Sequence, residues 1–145
     1  MTRYVIIPRG KPIFFPVANS WADSIGVDPL PSEEAVAMWA KEGQDGATDL
    51  KASVDGYEIQ HLNNAPPFRV ASPVFSYQLP ANNLLKATLP PEYAPLLGPQ
   101  RVPRAASNGV YVMLAPLAPG SHIIKFSAKF PNDFSLDIKY HIWVI

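Results

Sequence analysis

Three histidines are the residues of this 145-residue chain best suited to acid–base or metal chemistry. His122 shares a run of alternating apolar residues with Ile124, so its side chain is expected on a buried sheet face, where it would fix a corner of the fold. His141 alternates in step with Asp137 and is expected on the exposed face, and His61 ends an earlier run. No H-x-H or HExxH spacing occurs, and two of the histidines point to opposite faces. We therefore predict no metal site.

Sequence motifs for covalent catalysis are also missing. The chain has no cysteine, which excludes disulfides, thiolate zinc sites and cysteine nucleophiles. No G-x-S-x-G, S-x-x-K or phosphate-binding glycine loop is present, so no cofactor is predicted. One enzymatic alternative stays open, in which His61 or His141 lies beside Asp137 as the acid–base pair of a small hydrolase or lyase.

Three aromatic residues fall outside the buried pattern and are candidate ligand contacts. Trp21 and Tyr93 lie in segments expected to be loops, and Trp143 lies on the polar face of the last strand. Exposed aromatic side chains stack on sugar rings or anchor a protein partner. The structural alternative is that Trp143 covers a second layer of core and Tyr93 packs its own loop. We predict Trp21, Tyr93 and Trp143 as ligand-binding residues for a glycan or a protein.

The charge distribution argues against nucleic acid as a partner. Twelve basic and twelve acidic residues cancel and are scattered along the chain, so no basic patch is available for nucleic acid or anionic lipid. No apolar run approaches the roughly 18 residues of a membrane span. No apolar core of a signal peptide is found in this chain, because Pro8, Arg9 and Lys11 interrupt its start, and the sequence assigns no location.

Short strands must position these residues. The cleanest signal is residues 50–62, where two alternating runs flank Asp55 and Gly56, the dipeptide of a two-residue hairpin turn. Residues 134–144 alternate strictly and predict a final half-buried strand after a Pro-Asn-Asp turn. Further strands are predicted over residues 3–7, 12–18 and 68–79 and between residues 109 and 130. Pro16 places the second strand at a sheet edge or on a bulge.

One helix is predicted, over about residues 33–42. Ser32 suits the N-cap, Glu33 and Glu34 suit the positive end of the helix dipole, and Gly43 suits the C-cap. The apolar face predicted for this helix comprises Val36, Trp39 and Ala40.

A long proline-rich loop is predicted over residues 80–108. With the shorter loop at residues 19–31, it would form the ligand surface. Its leucines would form an exposed apolar patch, which predicts a homo-oligomer. They are Leu84, Leu85, Leu89, Leu96 and Leu97.

Two blocks of the sequence resemble an uncharacterised family of bacterial proteins, most of them exported. Residues 10–19 (GKPIFFPVAN) fit the pattern GKxxFFPxxN, and residues 109–126 (GVYVMLAPLAPGSHIIKF) fit GxYxxLxPLxPGxHxIxF. The resemblance implies a β-sandwich and carries no established activity. It also implies export, although this chain shows neither a leader peptide nor cysteines.

The whole pattern predicts one all-β domain over residues 1–145. We expect a two-sheet β-sandwich, immunoglobulin-like or jelly-roll-like, with one short inserted helix. The function predicted is a non-enzymatic binding or interaction domain. The alternatives are the small hydrolase or lyase and a structural subunit whose role is assembly.

Overall fold

The computed structural model describes residues 1–131 and 133–145, in which nine strands form two sheets. The β-rich class predicted from the sequence is confirmed. Asn132, the middle residue of the predicted Pro-Asn-Asp turn, lies outside the described residues.

The first sheet has five strands. They are β1 (Thr2–Ile7), β3 (Thr48–Val54), β4 (Tyr57–Glu58), β8 (Gly120–Lys129) and β9 (Ser135–Val144). Their order across the sheet is β1-β9-β8-β3-β4, with β1 parallel to β9 and the other pairs antiparallel. The alternation predicted for the last strand is confirmed within β9, because Ile142 and Val144 are buried whereas Asp137 and Trp143 are exposed. Phe134, where the predicted strand begins, lies before β9 and is exposed.

The predicted hairpin forms, but its second strand ends at Glu58 and is shorter than the run to residue 62 that the sequence predicted. Asp55 and Gly56 join β3 to β4 and have φ angles of 52° and 87°. A two-residue type I′ turn requires positive φ at both central positions, which Asp-Gly tolerates well. The turn sets the register in which Val54 pairs with Tyr57.

The second sheet has four strands. They are β2 (Ile13–Asp23), β5 (Arg69–Ala71), β6 (Phe75–Leu79) and β7 (Gln100–Leu114). The long strand β7 pairs with β2 on one side and with β5 and β6 on the other. Strand β2 therefore lies at an edge, and its register shifts between Pro16 and Ala18, as the proline predicted.

Side chains from both sheets form one shared core. The four-stranded sheet contributes Phe15 and Val110, and the five-stranded sheet contributes Phe126 and Ile142. The rings of Phe15 and Phe126 stack with centroids 5.1 Å apart and so connect the two sheets directly. Alternate residues of the five-stranded sheet must then point away from this core.

The helix α1 (Glu33–Asp45) is longer than predicted and packs against β2 and β7. Ser32 caps it, since the Ser32 hydroxyl accepts a hydrogen bond from the Ala35 amide at 3.1 Å. The assignment of Gly43 as the C-cap was wrong, because Gly46 holds that position. Trp39 is 40% exposed, so it does not belong to the buried face that Val36 and Ala40 form.

The prediction of a single loop over residues 80–108 was also wrong. This segment contains a short helix, α2 (Leu85–Thr88), and a 3₁₀ helix (Pro91–Leu96), and β7 begins at Gln100. The prolines of this segment argued against a strand in the sequence. The β6–β7 register is irregular around Pro103, and a residue without an amide N–H is tolerated there. Leu97 is 2% exposed and packs with Leu79, so part of the segment folds onto the domain.

Candidate functional site

The outer face of the five-stranded sheet brings aromatic and polar side chains together. In the β1–β9 register Tyr4 lies opposite His141 and Ile6 lies opposite Trp143. In the β8–β9 register Ile123 lies opposite His141 and Ser121 lies opposite Trp143. We call this group of residues the platform: Tyr4, Ile6, Ser121, Ile123, His141 and Trp143.

The platform is open to solvent despite its apolar content. Tyr4 is 79% exposed, Ile6 is 67% exposed and Trp143 is 56% exposed. The rings of Tyr4 and His141 stack with centroids 5.0 Å apart and planes 12° apart, which holds both rings in a defined orientation. All six platform residues line one shallow groove of about 890 Å³. A large apolar groove with a few polar groups is the usual form of a ligand site.

Polar side chains border the platform in the next row of the sheet. Lys125 and Ser53 line the same groove, and they are paired in the β3–β8 register. Lys139 lies opposite Lys125 in the β8–β9 register and opposite Thr2 in the β1–β9 register. Hydroxyl and ammonium groups therefore lie within one row of the exposed aromatic rings.

The hairpin turn is fastened to β8 at one end of this groove. Asp55 accepts hydrogen bonds from His122 and from the Ile123 amide, both at 2.7 Å, and its own amide donates to the Ile123 carbonyl at 2.8 Å. The other ring nitrogen of His122 lies 2.8 Å from the Ala118 carbonyl. The predicted role of His122 in fixing a corner is confirmed, and its side chain is only 15% exposed.

This contact shifts the pKa values of both partners. The hydrogen bond to Asp55, and then the one to Ala118, raise the pKa of His122. The same bond to His122 lowers the pKa of Asp55. Both shifts favour an imidazolium–carboxylate pair, so the two charges in the groove largely cancel.

Of the three aromatic residues predicted to bind a ligand, Trp143 lies on the platform and Trp21 lies on the other sheet. Trp21 belongs to β2, so its placement in a loop was wrong. Its ring meets Phe75 and Tyr77 edge-on at 5.5 and 5.4 Å, and its indole nitrogen donates to Asp23 at 3.0 Å. Trp21 is still 48% exposed and lines a separate groove of about 530 Å³.

The structure does not bring the three predicted aromatic residues into one site. Tyr93 lies in the 3₁₀ helix, is 46% exposed, and lines neither the Trp21 groove nor the platform groove. Trp143 is therefore the predicted residue that shares a face with other exposed aromatic side chains.

Sequence reasoning missed Tyr4 and Ile6 as site residues. Residues 3–7 alternate too weakly in polarity to assign a face, and the parallel pairing of β1 with β9 joins the two ends of the chain. The only local signal was the exposed position predicted for His141, the residue on which Tyr4 stacks.

The predicted acid–base pair of His141 and Asp137 does not form. The two residues are four positions apart on one strand, which corresponds to about 13 Å. His61 is exposed in the turn after β4 and has a φ angle of 60°. The His–Asp pair that does form is His122 with Asp55, and both of its partners are occupied by structural hydrogen bonds.

Comparison with protein-family models, with curated proteins and with solved structures finds no match for this chain. Within residues 1–131 and 133–145, no group of three or more histidine, aspartate or glutamate side chains is placed to hold a metal ion. In the same part of the chain, no helix is long and apolar enough to cross a membrane. The candidate site is therefore argued from its own geometry.

Proposed function

We propose that this chain is a non-enzymatic binding domain whose platform binds a saccharide. We also propose a β-sandwich architecture, because the two sheets share one core between them. The immunoglobulin-like form is preferred over the jelly roll. The contact from His122 back to Ala118 resembles the corner in which a tyrosine hydroxyl bonds to the preceding backbone.

One observation carries the functional proposal: the exposed rings of Tyr4 and Trp143 lie on the same open sheet face as polar side chains. Sugar rings have apolar faces that stack on aromatic side chains, and hydroxyl groups around their edges that need hydrogen-bond partners. Ser121, Ser53 and Lys125 supply such partners around the rings.

The size of the platform favours a short run of sugar rings over a protein. The platform crosses β1, β9 and β8, which is about 10 Å from the first strand to the third. A stable protein interface buries about 800 Å² on each partner, which is far more than this patch offers. A saccharide would also form hydrogen bonds with the polar side chains in the row that borders the rings.

The test is a glycan array followed by calorimetric titration of the best saccharide. We expect Trp143→Ala and Tyr4→Ala each to weaken binding about tenfold, because each change removes a stacking surface. Trp21→Ala and Tyr93→Ala are matched controls that remove exposed aromatic rings elsewhere, and they should leave the affinity unchanged. Thermal unfolding of each variant checks that it is folded.

Two results would overturn the proposal. The first is a wild-type chain that binds no saccharide on the array. The second is a saccharide whose affinity is the same for wild type and Trp143→Ala, since the ligand would then lie elsewhere.

A further inference from the structure

We infer that the saccharide bound by the platform carries an acidic group, a carboxylate or a sulfate, which lies over Lys125 and Lys139. This inference rests on the proposed function and adds the charge of the ligand. Its basis is the arrangement of charged residues on the outer face of the five-stranded sheet.

Lys125 and Lys139 form a like-charge pair across β8 and β9. They are directly opposite each other in the antiparallel register, which brings their Cβ atoms to about 5 Å. Like charges in this position oppose each other and destabilise a sheet. An anion bound between the two ammonium groups would relieve that repulsion.

Neither lysine is neutralised by a neighbouring carboxylate. Among the salt bridges of residues 1–131 and 133–145, none includes Lys125 or Lys139. Lys129 provides the contrast, because it lies on the same face of β8 and its ammonium is 2.8 Å from Asp49. The opposed pair therefore keeps its charge available for a ligand, as does Lys51, which lies one row further from the groove.

One lysine of the pair, Lys125, lines the groove itself, and Lys139 lies opposite it. The pair occupies the row next to Tyr4 and His141, about 7 Å along the strands. A substituent on a sugar ring stacked over that row would reach the ammonium groups.

Two carboxylates of this sheet face lie near the lysines. Asp137 lies one row beyond them, and Glu58 lies in their own row at the far edge of the sheet, and both line a small pocket with Lys125. In the part of the chain that the structure describes, neither carboxylate forms a salt bridge with Lys125 or Lys139. Asp55, which lines the groove itself, is held by His122 at 2.7 Å.

The test compares saccharides that differ only in charge. Oligogalacturonides and their methyl esters share one backbone, and a sulfated galactan oligosaccharide and its desulfated form provide the second pair. We expect the acidic member of at least one pair to bind more tightly than its neutral form, and the pair that shows the difference identifies carboxylate or sulfate. Affinity for the acidic form should fall as salt screens the charges.

Substitutions of the two lysines test whether the acidic group of the ligand binds to them. Lys125→Gln and Lys139→Gln should each weaken acidic binding about fivefold, as expected for the loss of one exposed ion pair. Binding of the neutral form should not change. Lys11→Gln combined with Lys86→Gln lowers the net charge by the same amount as Lys125→Gln combined with Lys139→Gln, and it should leave both affinities unchanged.

The outcomes separate this inference from the proposed function. Equal affinity for the acidic and neutral forms, with no effect of the lysine variants, would overturn the acidic ligand while saccharide binding stands. If the Lys11 and Lys86 control weakens acidic binding as much as the Lys125 and Lys139 variants do, the inference is also overturned, since the attraction would then be unspecific. Absence of binding to every saccharide would overturn both.

Discussion

The imidazole of His122 lies between two hydrogen-bond acceptors. One is the Asp55 carboxylate at 2.7 Å and the other is the Ala118 carbonyl at 2.8 Å. A neutral imidazole carries one N–H and donates one hydrogen bond, so only the protonated ring donates both. The geometry and the raised pKa of His122 therefore both favour the protonated ring, which joins the hairpin to the corner before β8.

This contact makes the stability of the domain depend on pH in a defined direction. The pKa of His122 is raised from its ordinary 6.5, so its contribution is complete below about that pH and is lost as pH rises through the raised value. The pKa of Asp55 is lowered from 3.8, so its contribution is complete above about that pH and is lost as pH falls through the lowered value. The pair should stabilise the fold most between these two ordinary values.

We expect His122→Gln to lower the melting temperature more at pH 5.5 than at pH 9. The measurement is thermal unfolding followed by circular dichroism across this range. His61→Gln is the control, because His61 is exposed in a turn, and it should give a small difference at every pH. A His122→Gln difference that is constant with pH would show that the ring does not act through its charge.

At the scale of secondary-structure elements, Gly43 sets how closely α1 approaches β2. A Cβ atom at this position would lie 2.1 Å from the Ser20 hydroxyl oxygen and 3.0 Å from its Cβ. Alanine favours a helix over glycine by about 1 kcal/mol, but the overlap requires the Ser20 hydroxyl to rotate away and its Cβ or the helix to shift. We expect Gly43→Ala to destabilise the protein by about 1–3 kcal/mol, the usual cost of overpacking, as measured by urea denaturation.

A second substitution tests whether the Ser20 contact is the cause. Ser20→Ala removes the oxygen at 2.1 Å, so the double variant with Gly43→Ala should recover part of the lost stability. Glu42→Ala is an exposed control in the same helix and should change stability little. Strictly additive effects of the two substitutions would place the cost of Gly43→Ala elsewhere.

Elements with strong local signals were predictable from the sequence. Asp55 and Gly56 encode a turn through their own φ preferences, and the alternation of β9 follows from one face being buried. Gly43 misled the prediction because a glycine near the end of a helix suits a C-cap, whereas here a neighbouring strand requires it. Pro103 misled the prediction because a proline argues against a strand unless the register irregularity beside it is known.

The candidate site was predictable only in part, for a related reason. Trp143 stood out because it breaks the alternation of its own strand. Tyr4 joins it through a pairing of the first strand with the last, and no local pattern encodes that pairing. Lys125 and Lys139 each occupy a normal exposed strand position, and their opposition depends on the β8–β9 register.

At the scale of the whole molecule, the faces of the two sheets have different neighbours. The inner faces share the core, and Val36 and Ala40 of α1 extend it by packing on Ala106, which lies on the same face of β7 as the core residue Val110. Both outer faces are open to solvent, since the five-stranded sheet presents Tyr4 and Trp143 and the four-stranded sheet presents Trp21. The choice of the platform as the binding surface therefore rests on its groove and on the polar side chains that line it beside the rings.

Because one core joins both sheets, we expect the domain to unfold in a single transition. Phe126 is 7% exposed and stacks on Phe15 across the two sheets, so Phe126→Ala should cost about 3–5 kcal/mol. Phe134→Ala is the matched control, since Phe134 is 57% exposed, and should cost much less.

Chemical denaturation monitored by fluorescence in variants that retain only Trp21 or only Trp143 reports on each sheet separately. Coincident midpoints that move together in Phe126→Ala would match the shared core, whereas two separate midpoints would mean that each sheet is stable without the other.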